Sequence, residues 1–176
     1  HGTRSGKVLL TFMFRNCSLM LAFIMDNCSE MAVKDIIDKL YEVLGHEVFK
    51  RSFPVVLTDN GSEFINPEDL ELDTEGNQRT KIFYCNPMAS YQKPHVEKNH
   101  EYIRYIIPKG KSLNNRTQED VTLMMNHINS TARASLNGNT PFKLAQMLLD
   151  VSMLDKLSLK HIHADEVHLK PALFNK

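Results

Sequence analysis

Val8 to Phe14 and Leu19 to Met25 are nearly unbroken apolar runs, separated by the polar tetrapeptide Arg15-Asn16-Cys17-Ser18. Runs of this length with a polar break read as two paired strands buried on both faces. The period then changes. Val33, Ile36, Ile37, Leu40 and Leu44 make a helical stripe, with Ser29 placed to cap its start and Gly45 to stop it. Phe53 to Asp59 is a short apolar strand that ends in Asp59-Asn60-Gly61, a strong turn signal, so a carboxylate falls at a strand's C-terminal end. Residues 59 to 76 read as a solvated loop or short helix, and Thr80 to Cys85 as one more strand.

A helix is expected from about Pro94, whose ring suits a first turn, with Val96, Ile103 and Ile106 or Ile107 inward and Glu97, Glu101 and Arg104 on another face. Pro108-Lys-Gly-Lys ends it. Thr117 caps a further helix whose stripe is Val121, Met124, Met125, Ile128 and Ala132, closed by Asn137-Gly138. Thr140-Pro141 opens a short helix through Leu149. Strands alternating with helices make an α/β chain. The absence of repeats and Gly/Ser linkers favours one domain over residues 1–150, with 151–176 as a C-terminal extension packing on or trailing it.

Composition adds limits. In 176 residues, 42% hydrophobic and 24% charged side chains can form a sizeable core, which argues against disorder. No apolar run approaches the roughly 20 residues of a membrane span, and the first residues have no signal-peptide core, so a cytoplasmic, membrane-free protein is expected. The three cysteines form no Cys-x-x-Cys pair, so neither a disulfide framework nor a thiolate zinc site is suggested. His161, His163 and His168 lie among Ile162, Val167 and Leu169, which reads as a packed tail with outward histidines rather than a zinc site.

Lys plus Arg equals Asp plus Glu at 21 each, which taken alone argues against a nucleic-acid partner. The balance conceals a segregation. Residues 59–76 hold seven acids and no Lys or Arg, whereas Tyr91 to Arg116 holds six bases (Lys93, Lys98, Arg104, Lys109, Lys111, Arg116) against Glu97 and Glu101, a local +4. Such a segment suits phosphate contacts, with Lys93 and Lys98 the preferred ones because they flank Glu97. Asp59 and Glu97 are 38 positions apart. If the later helix packs beside the strand's C-terminal end, both carboxylates can enter one crevice, where they repel unless a cation lies between them. Hard oxygen donors without nearby Cys favour Mg²⁺ or Mn²⁺. Read from pattern alone, Asp59 is more simply a turn aspartate and Glu97 an ordinary surface glutamate.

Val56-Leu-Thr-Asp-Asn-Gly-Ser-Glu-Phe64 resembles the second-aspartate motif of the DDE transposase and retroviral-integrase catalytic core, and Tyr91-Gln-Lys-Pro-His-Val-Glu-Lys-Asn-His100 resembles its glutamate motif. Arg79-Thr-Lys-Ile-Phe-Tyr-Cys-Asn-Pro, Ile106-Ile-Pro-Lys-Gly-Lys-Ser and Met125-Asn-His-Ile-Asn-Ser are similar to bacterial insertion-sequence transposases of the insertion sequence thirty family. The similarity runs from about Gly6 to Leu144.

The resemblance implies an RNase H-like fold, a mixed sheet flanked by helices, with the first strand incomplete or missing. It also implies metal-dependent DNA cleavage and strand transfer in transposition and integration, DNA ends and target as partners, and a homo-oligomer in the working complex. Asp59 and Glu97 become catalytic metal ligands, and Lys93, Lys98, Arg104, Lys109 and Lys111 the DNA-contacting bases. In the family two ions roughly 3.5–4 Å apart activate the attacking hydroxyl. In the family the first catalytic aspartate lies just before the turn that His1-Gly-Thr-Arg-Ser-Gly matches, so it would lie a few residues upstream of His1; Asp26 falls after the following strand and does not take that role. The chain by itself is then expected to bind metal weakly and to carry out no strand transfer. The other readings are a noncatalytic DNA-binding or dimerisation module from a decayed transposase, and another RNase H-like nuclease.

Overall fold

The computed structural model describes residues 6–59, 61–85 and 94–175, with the side chains of 94–97 not described. β1 (Val8–Met13) and β2 (Met20–Met25) pair antiparallel in the register Val8↔Met25 to Met13↔Met20. They are followed by α1 (Glu30–Leu44), α2 (His46–Ser52), β3 (Val56–Thr58), α3 (Pro67–Glu71) and β4 (Ile82–Tyr84). The rest is helical: α4 (Pro94–Ile106), α5 (Gln118–Asn129), α6 (Pro141–Leu148) and α7 (Val151–Lys156). β3 and β4 pair in parallel. The mixed sheet expected from the resemblance is therefore divided, among the described residues, into one antiparallel and one parallel pair.

The hairpin is buried on both faces, which explains why its sequence runs apolar without alternation. Leu10, Phe12, Leu19, Leu21 and Met25 pack into a core with α1, α2, α6 and α7, while Leu9, Met20, Ala22 and Ile24 pack against α4, α5 and the tail around Leu169 to Phe174. The hairpin thus forms a central layer between two helical ones.

Helix starts follow the sequence closely. Ser29 Oγ accepts from Ala32 N–H, Thr117 and Asp120 form a reciprocal capping box, and Thr140 accepts from Lys143 N–H. Gly45 ends α1 at φ 77°, a left-handed value that a Cβ would disfavour. Several boundaries differ from expectation. β3 and β4 are each shorter than the apolar runs that contain them, and α5 stops at Asn129, leaving Ala132 exposed and Asn137 in the left-handed cap of a separate 3-10 turn. Helix α2, not expected from the pattern, buries Phe49, and α7 buries Met153 and Leu154 in the same core.

Helix α5 holds the outer edge of β2 through side-chain amides. Met20 donates its N–H to Asn129 Oδ1 (3.0 Å) and accepts from Asn129 Nδ2 (2.8 Å). Ile24 N–H donates to Gln118 Oε1 (2.9 Å), and Gln118 Nε2 donates to Ala22 C=O (3.0 Å). On its other side α5 accepts from the tail: Lys160 N–H to Asn126, Ile162 N–H to Ser130 and His168 N–H to His127 Nδ1.

Candidate active site

Asp59 follows the last residue of β3. Thr58, buried, accepts through its C=O from Cys85 N–H (2.8 Å), so the strand is pinned to β4 at the residue before Asp59, and the Asp59 side chain is exposed. The following turn is anchored by buried Phe64, whose carbonyl accepts from the Tyr84 hydroxyl. Asp59 lines an open cleft of about 1310 Å³, bordered by β1 on one side and β3 on the other. Glu63 lines it too. Burial first, and then the neighbouring Glu63 carboxylate, push the thiol of Cys28 above its usual range.

The second element at the cleft is α4. Its residue His100 lines the cleft, and His100 Nε2 lies 3.1 Å from Thr11 Oγ1 on β1. Position 97 is one turn earlier on α4. Asn99, 1% exposed, fixes this turn: its amide donates to Ser18 C=O (3.3 Å) and its Oδ1 accepts from Arg133 (2.6 Å). Arg133 in turn donates to Ile128 C=O and lies 4.1 Å over the Tyr102 ring. Asn99, His100 and Arg133 therefore tie this turn of α4 to its surroundings. Asn99 and His100 stood in plain view within the glutamate motif, but no periodicity marks them as anchors.

Of the residues read from sequence, Asp59 reaches the cleft, the backbone of Glu97 lies on the helix that borders it, and Lys93 lies outside the described residues. Lys98 is exposed and pairs with Glu101 at 3.1 Å, the hydrogen bond raising its pKa; such a surface pair is weak. Arg104, Lys109 and Lys111 are exposed on or just after α4. Arg116 instead lies 4.0 Å over the Phe174 ring, engaged with the tail.

The cleft's carboxylates, Asp59 and Glu63, match a hard divalent cation in kind. They do not make a full set: among the described residues no group of three or more His, Cys, Asp or Glu could hold a metal ion. Nor is any described helix long and apolar enough to cross a membrane.

No protein-family model matches the chain. It is similar to two curated transposases: 29% identical over 92 residues to that of insertion sequence element IS4351 from Bacteroides fragilis, and 28% over 91 residues to that of IS1086 from Cupriavidus metallidurans. It is also 29% identical over 82 residues to an ORF3 protein of Spiroplasma virus SpV1-R8A2 B named as a candidate integrase. These matches cover 52%, 51% and 47% of this chain, in that order, and 27%, 26% and 24% of the relatives. The chain thus spans about a quarter of each relative's length. The chain is of transposase type in its similarities.

Proposed function

We propose that this chain is the catalytic core region of a DDE-type insertion-sequence transposase with an RNase H-like fold, acting on DNA in the cytoplasm as part of a homo-oligomer. The observation that carries the reading is that Asp59, at the end of a parallel strand, and His100, one turn along α4 from position 97, line one cleft. A hairpin, a helix, a parallel pair and then a glutamate-bearing helix is the family's order with one strand fewer.

Asp59 and Glu97 would hold Mg²⁺ or Mn²⁺, which supplies activation of the attacking hydroxyl and stabilisation of the leaving oxygen. The chain's own residues do the positioning. Asn99, bonded to Arg133, and His100, bonded to Thr11, hold the α4 turn against the hairpin, and Arg104, Lys109 and Lys111 offer phosphate contacts beside it. Lys98, exposed and only weakly paired with Glu101, offers a further such contact.

The test is Mg²⁺- or Mn²⁺-dependent cleavage and joining of duplex DNA ends by the full encoded protein. Asp59→Asn and Glu97→Gln are each expected to lower it at least ~100-fold while leaving DNA binding intact. DNA binding with no metal-dependent cleavage in the unmodified protein would instead favour the noncatalytic module. Cleavage insensitive to both substitutions would contradict the assignment.

A further inference from the structure

Glu63 lies outside the carboxylate set expected from sequence, yet it lines the cleft with Asp59. Its main chain is fixed. It is the middle residue of a 3-10 turn, Ser62–Phe64, in which buried Phe64 donates its N–H to Gly61 C=O (3.0 Å) and accepts from the Tyr84 hydroxyl. The half-buried Glu63 side chain folds back over Gly61. A Cβ built there would fall 2.7 Å from Glu63 Oε2 and 2.8 Å from both Cδ and Oε1, closer than non-bonded atoms approach. Gly61 has φ −62° and ψ 148°, a backbone that any residue adopts. What requires glycine there is the room that the carboxylate takes. Among the described residues this charge has no partner of opposite sign. Residues 59–76 hold no Lys or Arg, and none of the ion pairs among the described residues involves Glu63. The Cys28 thiol beside it, pushed up first by burial and then by this carboxylate, stays neutral near neutral pH.

We propose that Glu63 belongs to the cation site: it accepts hydrogen bonds from water carried by the Mg²⁺ or Mn²⁺ that Asp59 holds, and the absent side chain of Gly61 leaves its carboxylate the room to do so. The inference rests on the reading of the cleft as the metal site. Two carboxylates on one cleft repel unless a cation lies between them, and Mg²⁺ keeps several of its waters when it binds protein. A carboxylate that is fixed in place, charged and unpaired by Lys or Arg is suited to receive those waters. Outer partners of this kind are typically worth roughly 10–100-fold in metal affinity.

The test is a Mn²⁺ titration of the chain, of Glu63→Gln, of Gly61→Ala and of the double variant, followed by NMR broadening of the Thr58 amide, with Asp59→Asn as reference. Glu63→Gln is expected to raise the Mn²⁺ concentration at the midpoint about 10-fold. Gly61→Ala should do much the same, because its Cβ displaces the Glu63 carboxylate, and the double variant should be no weaker than either alone. Each should unfold within about 3 °C of the unmodified chain, since the substituted atoms meet only a flexible side-chain end. A midpoint unchanged by Glu63→Gln, with broadening lost in Asp59→Asn, would overturn the role of Glu63 and leave the cation site standing. Broadening indifferent to both would overturn the reading of the cleft, and this inference with it. Full additivity of Gly61→Ala and Glu63→Gln would also overturn the inference, because Gly61 would then act by a route other than Glu63.

Discussion

The two edges of the β1–β2 hairpin are treated in opposite ways. On the β2 side, Gln118 and Asn129 extend carboxamides that reproduce the donor-acceptor pattern of a neighbouring strand, so Met20, Ala22 and Ile24 are satisfied without one. On the β1 side, Leu9, Thr11 and Met13 face the cleft that contains Asp59. Edges of sheets invite unwanted pairing and are normally covered. Here the edge held by α5 is the structural one, and the edge that no described strand covers is the one beside the candidate chemistry. The contrast separates residues that hold the fold from residues that line the cleft.

Breaking the covered edge should have the largest effect. Asn129→Ala strips both main-chain groups of buried Met20 of their partners and is expected to cost about 3 kcal/mol in urea unfolding. Leu57→Ala, at the uncovered edge and 39% exposed, should change stability by no more than about 0.5 kcal/mol. Equal losses would erase the distinction.

Next is the buried guanidinium beneath the parallel pair. Arg79 pairs with Asp38 at 2.6 Å, donates to Leu70 C=O and lies over Tyr41, so Arg79→Met should cost about 2 kcal/mol near neutral pH. Burial raises the Asp38 pKa, but hydrogen bonds from Lys34 and Arg79 outweigh it and hold the carboxyl below its ordinary value. That contribution is complete above the unfolded carboxyl's pKa of about 3.9 and is lost as pH falls through the lower folded value. The variant's penalty, followed by denaturation at each pH, should therefore shrink in strong acid.

Gln118→Ala opens the same covered edge at a half-exposed position, where water can replace the amide, and about 1 kcal/mol is expected by thermal unfolding. The smallest effect concerns the other side of α5. Burial, and then the nearby His168, lower the pKa of His127, whose Nδ1 accepts from the His168 N–H. Its neutral form favours the docked tail. Stability from this contact is present above the unfolded imidazole's value of about 6.5 and is lost as pH falls through the folded one. Amide exchange should show the His168 N–H opening in that range while Met20 stays protected.

Much of the framework was legible because it depends on local signals. Ser29, Thr117 and Thr140 cap their helices as their side chains require, and Gly45 stops α1. The hairpin could be read because each run was apolar on both faces. What escaped was long-range. Asn126, Asn129 and Ser130 stand in a motif that the sequence displays, yet their purpose is to bond main chain more than 30 positions away, which no helical period encodes. Ala132 continued an apolar stripe past the point where α5 ends, at Asn129 with Ser130 as its C-cap, just before Arg133 turns inward to Asn99. The division of the strands into two pairs also depends on space between distant segments. At the site, Asp59 was legible from a strand ending in a turn, whereas Asn99, His100 and Arg133 became visible only through their contacts.

The most direct test of the account is a Mn²⁺ titration of this chain followed by NMR line broadening, which detects even weak binding. Broadening should centre on amides around Asp59 and on the 97–100 turn of α4, and should be lost separately in Asp59→Asn and Glu97→Gln. Broadening centred instead on the acidic segment from Glu68 to Glu75 or on His161 and His163, or broadening indifferent to both substitutions, would contradict the assignment of the cleft as the catalytic metal site.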